Sequence, residues 1–447
     1  MVGTRYLDPV ESDATLPEAV DLVVIGAGMI GVAAAYAAAK AGHSVALLEK
    51  GVVAGEQSSR NWGWCRVLNR DEREIPLMQH SMALWDSLPA EIGADMGFRR
   101  AGLTYVTKDP AQLAGWEAWL EKARPYQPTA RMIDAAEARR RTPGNEQDWI
   151  GGVVSPHDGR AEPAKAAPTL ARAARGLGVS LHQNCAVRGL DTTGGRISGV
   201  FTEKGRIRCQ SVVLAGGAWA SMFLRRHGID MPQSSVHSTV FATTPAKVQV
   251  SPGPLLTPDF ILTPLPDGGY LVAAKARGRL ELTPAGIRYA RQFLPALRAN
   301  WKLVELRFGR SFFEGPDAWH GRWSFDAPTV FERMRVLDPA PKMSIIEPSL
   351  REIVAAYPEL AGIQAARIWA GWIDSTPDAV PVISPVEALP GLVVAAGFSG
   401  HGFGIGPGAG RLAADLATGA PCIVDPAPFT LKRFAPGAPR AQGRAGI

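Results

Sequence analysis

Three glycines, Gly26, Gly28 and Gly31, stand in the order GxGxxG between two apolar runs. The first run is Asp21 to Ile25 (DLVVI). The second, His43 to Glu49 (HSVALLE), ends in an acid. In that setting the pattern reads as a dinucleotide site. Gly26 permits the tight turn, Gly28 lets backbone approach a pyrophosphate, and Gly31 lets helix and strand pack closely. The helix that opens here offers unpaired N–H groups and the positive end of its dipole to the phosphates. Glu49 can accept both ribose hydroxyls and repels a 2′-phosphate. NAD and FAD share this unit, so the distinction lies elsewhere. VVLAGGAW, Val212 to Trp219, is a second buried strand ending in small residues. GFSGHGFGIGPGAG, Gly397 to Gly410, is another Gly-rich turn, placed after the strand LVVAA. Two such turns far from the first point to a long cofactor gripped at both ends, and FAD is the expectation.

The elements that must position these residues can be read from periodicity and punctuation. Asp21 to Glu49 is a βαβ unit whose helix stops at Gly42. Ser58 to Arg70 is a loop dense in Trp and Arg. Helical spacing predicts helices over Leu77 to Leu88, Ala111 to Ala123, Asp134 to Arg141 and Pro163 to Leu177. Gly102 to Thr107 reads as a strand, Gly151 to Arg160 as a turn-rich connection, and Ser211 to Ala215 as a buried strand. His237 to Ser324 alternates like an antiparallel sheet, with a helix near Thr283 to Leu297. Helices near Ser349 to Ala356 and over Arg411 to Thr418 complete the pattern.

Composition bounds the function. The 447 residues are 46% apolar and carry a formal net charge of +6. That supports a full core and gives no basic block of the kind that marks nucleic-acid binding. The four cysteines, Cys65, Cys185, Cys209 and Cys422, match neither a zinc site nor a disulfide framework. No metal site is expected. A reducing, cytoplasmic location without an integral membrane segment or signal peptide is the expectation.

These segments resemble the D-amino-acid oxidase superfamily of FAD-dependent oxidoreductases, which includes glycine oxidase, sarcosine oxidase and D-amino-acid dehydrogenase. The resemblance is carried by VVIGAGMIGVAAAYAAAKAGHSVALLEK, SSRNWGW, DGRAEPAKAAPTLARAARGLGV, VVLAGGAWA, WAGWIDSTPDAVPVI and GFSGHGFGIGPGAG, from Asp21 to Gly419. It implies an α/β chain, α+β overall: a Rossmann-like FAD domain with an interleaved, mainly antiparallel substrate domain. The FAD domain would comprise 18–80, 150–225 and 365–425. The substrate domain would comprise 81–149 and 226–364, with arms at 1–17 and 426–447.

The resemblance also implies site residues. FAD would be held by Gly26, Gly28, Met29, Ile30, Gly31, Glu49, Lys50, Ser58, Ser59, Arg60, Asn61, Trp62, Val187, Gly216 and Trp219. The second grip would be Gly397, Gly400, His401, Gly402, Phe403, Gly404 and Ile405. Relatives carry an Arg at the position of Ile373, or a Lys at that of Gly404, to clamp a substrate carboxylate. Arg66 is the replacement candidate, with Trp64 and Trp372 walling the pocket. Lys275 and His401 are the candidate catalytic residues. No Cys lies near Gly371, where sarcosine oxidase attaches its flavin, so FAD should be non-covalent. The implied reaction oxidises a C–N bond in a secondary amine or a D- or N-substituted amino acid. The flavin accepts a hydride, the resulting imine is hydrolysed, and oxygen or another acceptor takes the electrons. Alternatives are a dehydrogenase subunit that passes electrons to a partner, and a non-catalytic flavin module.

Overall fold

Leu22–Ile25 (β1) is wholly apolar because the sheet it joins is covered on both faces. It pairs in parallel with Val45–Leu48 (β2) on one side and Ser211–Leu214 on the other. The helix Met29–Lys40 (α1) makes the crossover between β1 and β2. Ser180–His182 extends the sheet beyond β2, and Leu392–Ala396 then Val382–Pro385 extend it beyond Ser211–Leu214. Only the last pair is antiparallel. The sheet thus gathers strands from both ends of the sequence. The computed structural model describes residues 7–274, 278–299, 304–318, 322–435 and 437–438.

The second large sheet is built on Ser234–Thr243. That strand pairs antiparallel with Ala365–Ser375 along nearly its whole length, and with Tyr270–Ala274 and Gly278–Leu282. The predicted antiparallel region is therefore present, with two parallel pairings in it, the shorter being Leu255–Leu256 on Leu103–Thr107. Val304–Phe308 runs parallel to Gly278–Leu282, because the helices Pro284–Arg288 and Ala290–Ala299 return the chain to the same end. Alternation alone does not reveal strand direction.

Two further expectations are corrected. Gly151–Ser155 and Gly159–Arg160 are strands, not an open connection. Gly151–Ser155 is buried between Leu103–Thr107 and Arg131–Asp134, and its glycines admit the neighbouring backbone. Likewise, the helix predicted to begin at Arg411 begins at Gly402 and runs to Thr418. Its glycines serve close packing. A Cβ at Gly410 would lie 2.5 Å from Ala33 Cβ and 2.6 Å from the Ile30 carbonyl oxygen, and one at Gly406 would lie 2.6 Å from Met29 Cγ. Pro407 has no N–H to give the Phe403 carbonyl, and the Gly408 N–H, the helical donor for the Gly404 carbonyl, reaches Ser81 Oγ at 3.2 Å. Ser81 Oγ and Trp85 Nε1, on the helix Ile75–Glu91, each donate to the Gly404 carbonyl oxygen at 2.8 Å.

The expected arms are tied down where described. Asp13 accepts from Leu181 N–H at 2.8 Å and pairs with Arg175 at 2.7 Å. Arg433 reaches Asp378 at 3.1 Å. Among the described residues no helix is long and apolar enough to cross a membrane.

The contact between α1 and the Gly402–Thr418 helix gives a paired prediction. Gly410→Ala forces a methyl into the Ile30–Ala33 backbone and should cost about 2–3 kcal/mol, read as a fall in Tm. Gly115→Ala, in the helix Pro110–Ala123 with open space around its Cβ, should stabilise by about 0.5–1 kcal/mol. Equal shifts of the same sign would refute the packing assignment.

Candidate active site

The two sheets meet around one elongated cavity that begins at the N-terminus of α1. Gly26, Gly28, Ile30, Glu49, Lys50, Val187, Gly216 and Trp219 line this end. Gly26 sits at φ +100°, where a Cβ would meet the Ala215 carbonyl oxygen at 2.5 Å. Ser58 Oγ accepts from Met29 N–H at 2.8 Å and so caps α1 from a distant segment. A Cβ on Gly28 would lie 2.9 Å from that oxygen. Glu49 accepts from Ala27 N–H and Gly51 N–H, both at 2.8 Å, which fixes its carboxylate at the end of β2. Burial pushes its carboxyl up, while Lys50 and those two donors pull it back.

Lys50 is committed elsewhere. Its ammonium donates to Glu56 at 2.6 Å and to the carbonyls of Met334 and Arg335 at 2.9 Å. Glu56 also accepts from Leu337 N–H at 2.9 Å and from Trp219 Nε1 at 3.2 Å. Nothing in the spacing of the sequence singled out Glu56, because Trp219 and Leu337 reach it from two distant segments.

Ser58, Arg60, Asn61 and Trp62 line the middle of the cavity. Two of them have structural duties. Arg60 pairs with Asp338 and donates to the Ala370 carbonyl at 3.0 Å, pinning Ala365–Ser375 to the Gly55 loop. The Asn61 amide donates to the carbonyls of Gln57 and Ser58 at 3.1 and 2.9 Å, closing the short helix Gln57–Arg60.

Six residues read as cofactor contacts do not line the cavity: Met29, Gly31, Ser59, Gly397, Gly404 and Ile405. Met29, Gly404 and Ile405 are turned into helix packing, and Gly31 lies against the Gly26 carbonyl. Ser59 donates to the Glu56 carbonyl at 3.2 Å. Gly397 N–H donates to Asp374 at 2.9 Å. Lys275 lies outside the described residues.

Trp64, Arg66, Trp372, Ile373, Gly400, His401, Gly402 and Phe403 come together at the far end, and Arg70 joins them. Arg66 and Arg70 are only 7% and 4% exposed. Arg66 donates to the Leu68 carbonyl, and Arg70 Nε to the Arg66 carbonyl at 3.3 Å. Among the described residues neither guanidinium is ion-paired to a carboxylate. Burial and the Arg66 charge lower Arg70 to about 9. His401 is held well below the usual imidazole range by burial and by both arginines. Glu74, 1% exposed, is raised to about 8, chiefly by burial. On the facing wall His237, Arg279 and Lys342 line the cavity, but Arg279 pairs with Glu281 and Lys342 with Glu305. Trp372 packs edge-on against His237 at 5.3 Å. Arg70 could have been found four residues after Arg66. Arg279 and Lys342 are gathered only by the sheet.

A family model described as FAD dependent oxidoreductase matches residues 21–416. The chain belongs to that family. It is an FAD-dependent oxidoreductase of the amine- and amino-acid-oxidising group. Glycine oxidase of Pseudomonas aeruginosa is 28% identical over 91% of this chain and 97% of its own. Human mitochondrial sarcosine dehydrogenase is 30% identical over 51% of this chain, which spans only 26% of that enzyme. The structure of L-amino acid deaminase from Proteus myxofaciens in complex with anthranilate superposes with a TM-score of 0.91, 30% identity and 97% coverage of both chains. FAD fits the residues of this oxidoreductase. The Gly26–Gly28 turn at the α1 N-terminus would hold the pyrophosphate, and Glu49, at the end of β2, would meet the adenosine ribose. The His401–Gly402 turn supplies a second helix N-terminus at the far end.

None of the cysteines lines this cavity. Acid precipitation should therefore release FAD into the supernatant and leave a colourless pellet. Gly28→Val, which drives a side chain against Ser58 Oγ, should lower flavin content more than tenfold, roughly 1.4 kcal/mol or more of lost binding. A fully yellow Gly28→Val protein would overturn the placement of the pyrophosphate.

Proposed function

We propose that this oxidoreductase acts on an α-amino acid, whose carboxylate is bound by Arg66 and Arg70. The observation that carries the reading is a pair of buried guanidinium groups facing a cavity without a carboxylate partner. Removing such charge from water is costly unless it is compensated. A ligand carboxylate supplies that compensation through charge-assisted hydrogen bonds. Arg279 and Lys342 already have acids, so they compete poorly for the same anion. The similarity to L-amino acid deaminases of two Proteus species favours the L configuration over the D or N-substituted substrates implied by the sequence resemblance.

Bound FAD would supply the hydride acceptor. The chain's residues orient the donor. Arg66 and Arg70 fix the carboxylate, and Trp64 and Trp372 limit water and hold the apolar part of the side chain. Trp62 meets Trp64 edge-on at 5.4 Å and stiffens that wall. His401 is poorly placed as a base, since one ring nitrogen faces the Ala379 carbonyl and the other faces Glu74. The substrate amine must then arrive neutral, and turnover should rise with pH through the amine's own pKa. The imine product is hydrolysed by water to a keto acid and ammonia.

Anaerobic addition of single amino acids and matched amines, with flavin bleaching as the readout, tests the substrate class. Readmitted air then separates an oxidase from an enzyme that uses another acceptor. Arg66→Ala and Arg70→Ala should each raise KM for the best amino acid by roughly 30-fold, about 2 kcal/mol of lost binding, with FAD content unchanged. Amines lacking a carboxylate should be affected less than about threefold. A loss confined to Arg279→Ala would move the carboxylate to the opposite wall.

A further inference from the structure

Near Arg66 and Arg70 lie two buried polar atoms without a hydrogen-bond partner: Glu74 Oε1 and His401 Nδ1. They face each other at 3.2 Å. His401 Nε2 lies 3.0 Å from the Ala379 carbonyl oxygen. A carbonyl only accepts, so Nε2 carries a proton and Nδ1 of the neutral ring is a lone pair. A lone pair facing an ionised carboxylate is repulsive. A single proton between the two atoms satisfies both.

We propose that Glu74 and His401 share one proton, and that this proton keeps Arg66 and Arg70 available to a carboxylate in the cavity. The second half rests on the substrate reading above. With the proton in place, the Glu74–His401 unit is neutral overall and the two arginines face the cavity uncompensated. Without it, Glu74 becomes an anion beside Arg70 and competes with the ligand for its field. Glu74 is thus a positioning residue. The charged groups around the pair come from every neighbouring element. They are Arg66 and Arg70 from the Trp/Arg loop, Asp71 and Arg73 from the turn that follows it, Asp378 beside Ala379, and Arg433 from the C-terminal segment. Arg73 and Arg433 are both engaged by Asp378, and Arg73 also by Asp71, which leaves Arg70 as the cation most open to Glu74. Burial raises Glu74 to about 8. The proton is therefore held at neutral pH and lost as pH rises through that value.

The test uses the FAD-loaded protein and two readouts. In infrared difference spectra, wild type minus Glu74→Gln, a protonated-carboxyl band should be present at pH 7 and be replaced by a carboxylate band above about pH 8–9. This arm needs no ligand. A carboxylate band already at pH 7 with no imidazolium band beside it would overturn the shared proton. The second readout is the Kd of anthranilate, followed by perturbation of the flavin absorbance. Its carboxyl group stays ionised from pH 6 to 9, so any pH dependence belongs to the protein. Wild-type Kd should rise roughly tenfold between pH 7 and 9, the scale of one added charge nearby. Glu74→Gln keeps an N–H to donate to Nδ1 and cannot ionise, so its Kd should stay flat. A flat wild-type Kd, or the same rise in Glu74→Gln, would overturn the control of the arginines. The latter result would assign the rise to Arg70 itself, lowered to about 9. If anthranilate binds at no pH while the acid band is present, the shared proton stands and the carboxylate reading falls.

Discussion

The site depends on how closely two helices approach. The helix that starts at Gly402 lies on α1 with Gly406 over Met29 and Gly410 over Ala33. A Cβ at either glycine would collide with α1, so the two helices pack closely only because these positions carry no side chain. That contact joins the first and last segments of the family match. It also sets where the chain must turn at Phe398–His401. The cavity lies between this turn and the Gly26–Gly28 turn, so its length is fixed by glycine packing and not by any residue that touches a ligand.

The same constraint explains what was legible in the sequence. The GxGxxG turn, Glu49 and the parallel strands were readable because each is a local pattern with a local cause. Apolar runs bury, glycines turn, and a helix starts where N–H groups are free. GFSGHGFGIGPGAG was legible as a glycine-rich segment but not as a helix. Glycine and proline both argue against helix by propensity. The packing against Met29, Ala33 and Leu77, and the capture of the Gly404 carbonyl by Ser81 and Trp85, override that preference. Gly151–Ser155 failed for a related reason, since its strand character comes from partners on both sides. Gly404 and Ile405 were placed with the cofactor by their proximity in sequence to His401. Once the helix begins at Gly402, they rotate into the core.

Arg66, Trp64 and His401 were reachable by resemblance, but their grouping with Arg70 and Glu74 was not. Spacing cannot show that Glu74, at the start of the helix Ile75–Glu91, meets a histidine more than three hundred residues later. Charge patterning would class the run RDERE as a solvated, self-paired turn. Asp71 and Arg73 do pair there at 2.9 Å, while Arg70 and Glu74 at the two ends of the run are drawn inward.

The arrangement around Arg66 and Arg70 is costly to the fold, and its form shows where that cost is placed. A buried arginine is most stable with a bidentate carboxylate. The nearby buried acid, Asp158, is spent instead on backbone, accepting from Val67 N–H at 2.8 Å and Leu68 N–H at 3.0 Å. Glu74 is turned to His401. The arginines are left with the carbonyls of Leu68 and Arg66, which orient a guanidinium but cannot neutralise it. Trp119 Nε1 holds the Arg70 carbonyl at 2.7 Å, and Trp64 Nε1 holds Thr263 Oγ1 at 2.8 Å. The surrounding wall is thereby rigid while the charge at its centre stays unmet. Acids close enough to neutralise the arginines are held in geometries that keep them from doing so, and under the proposed function a substrate carboxylate would recover the stability given up.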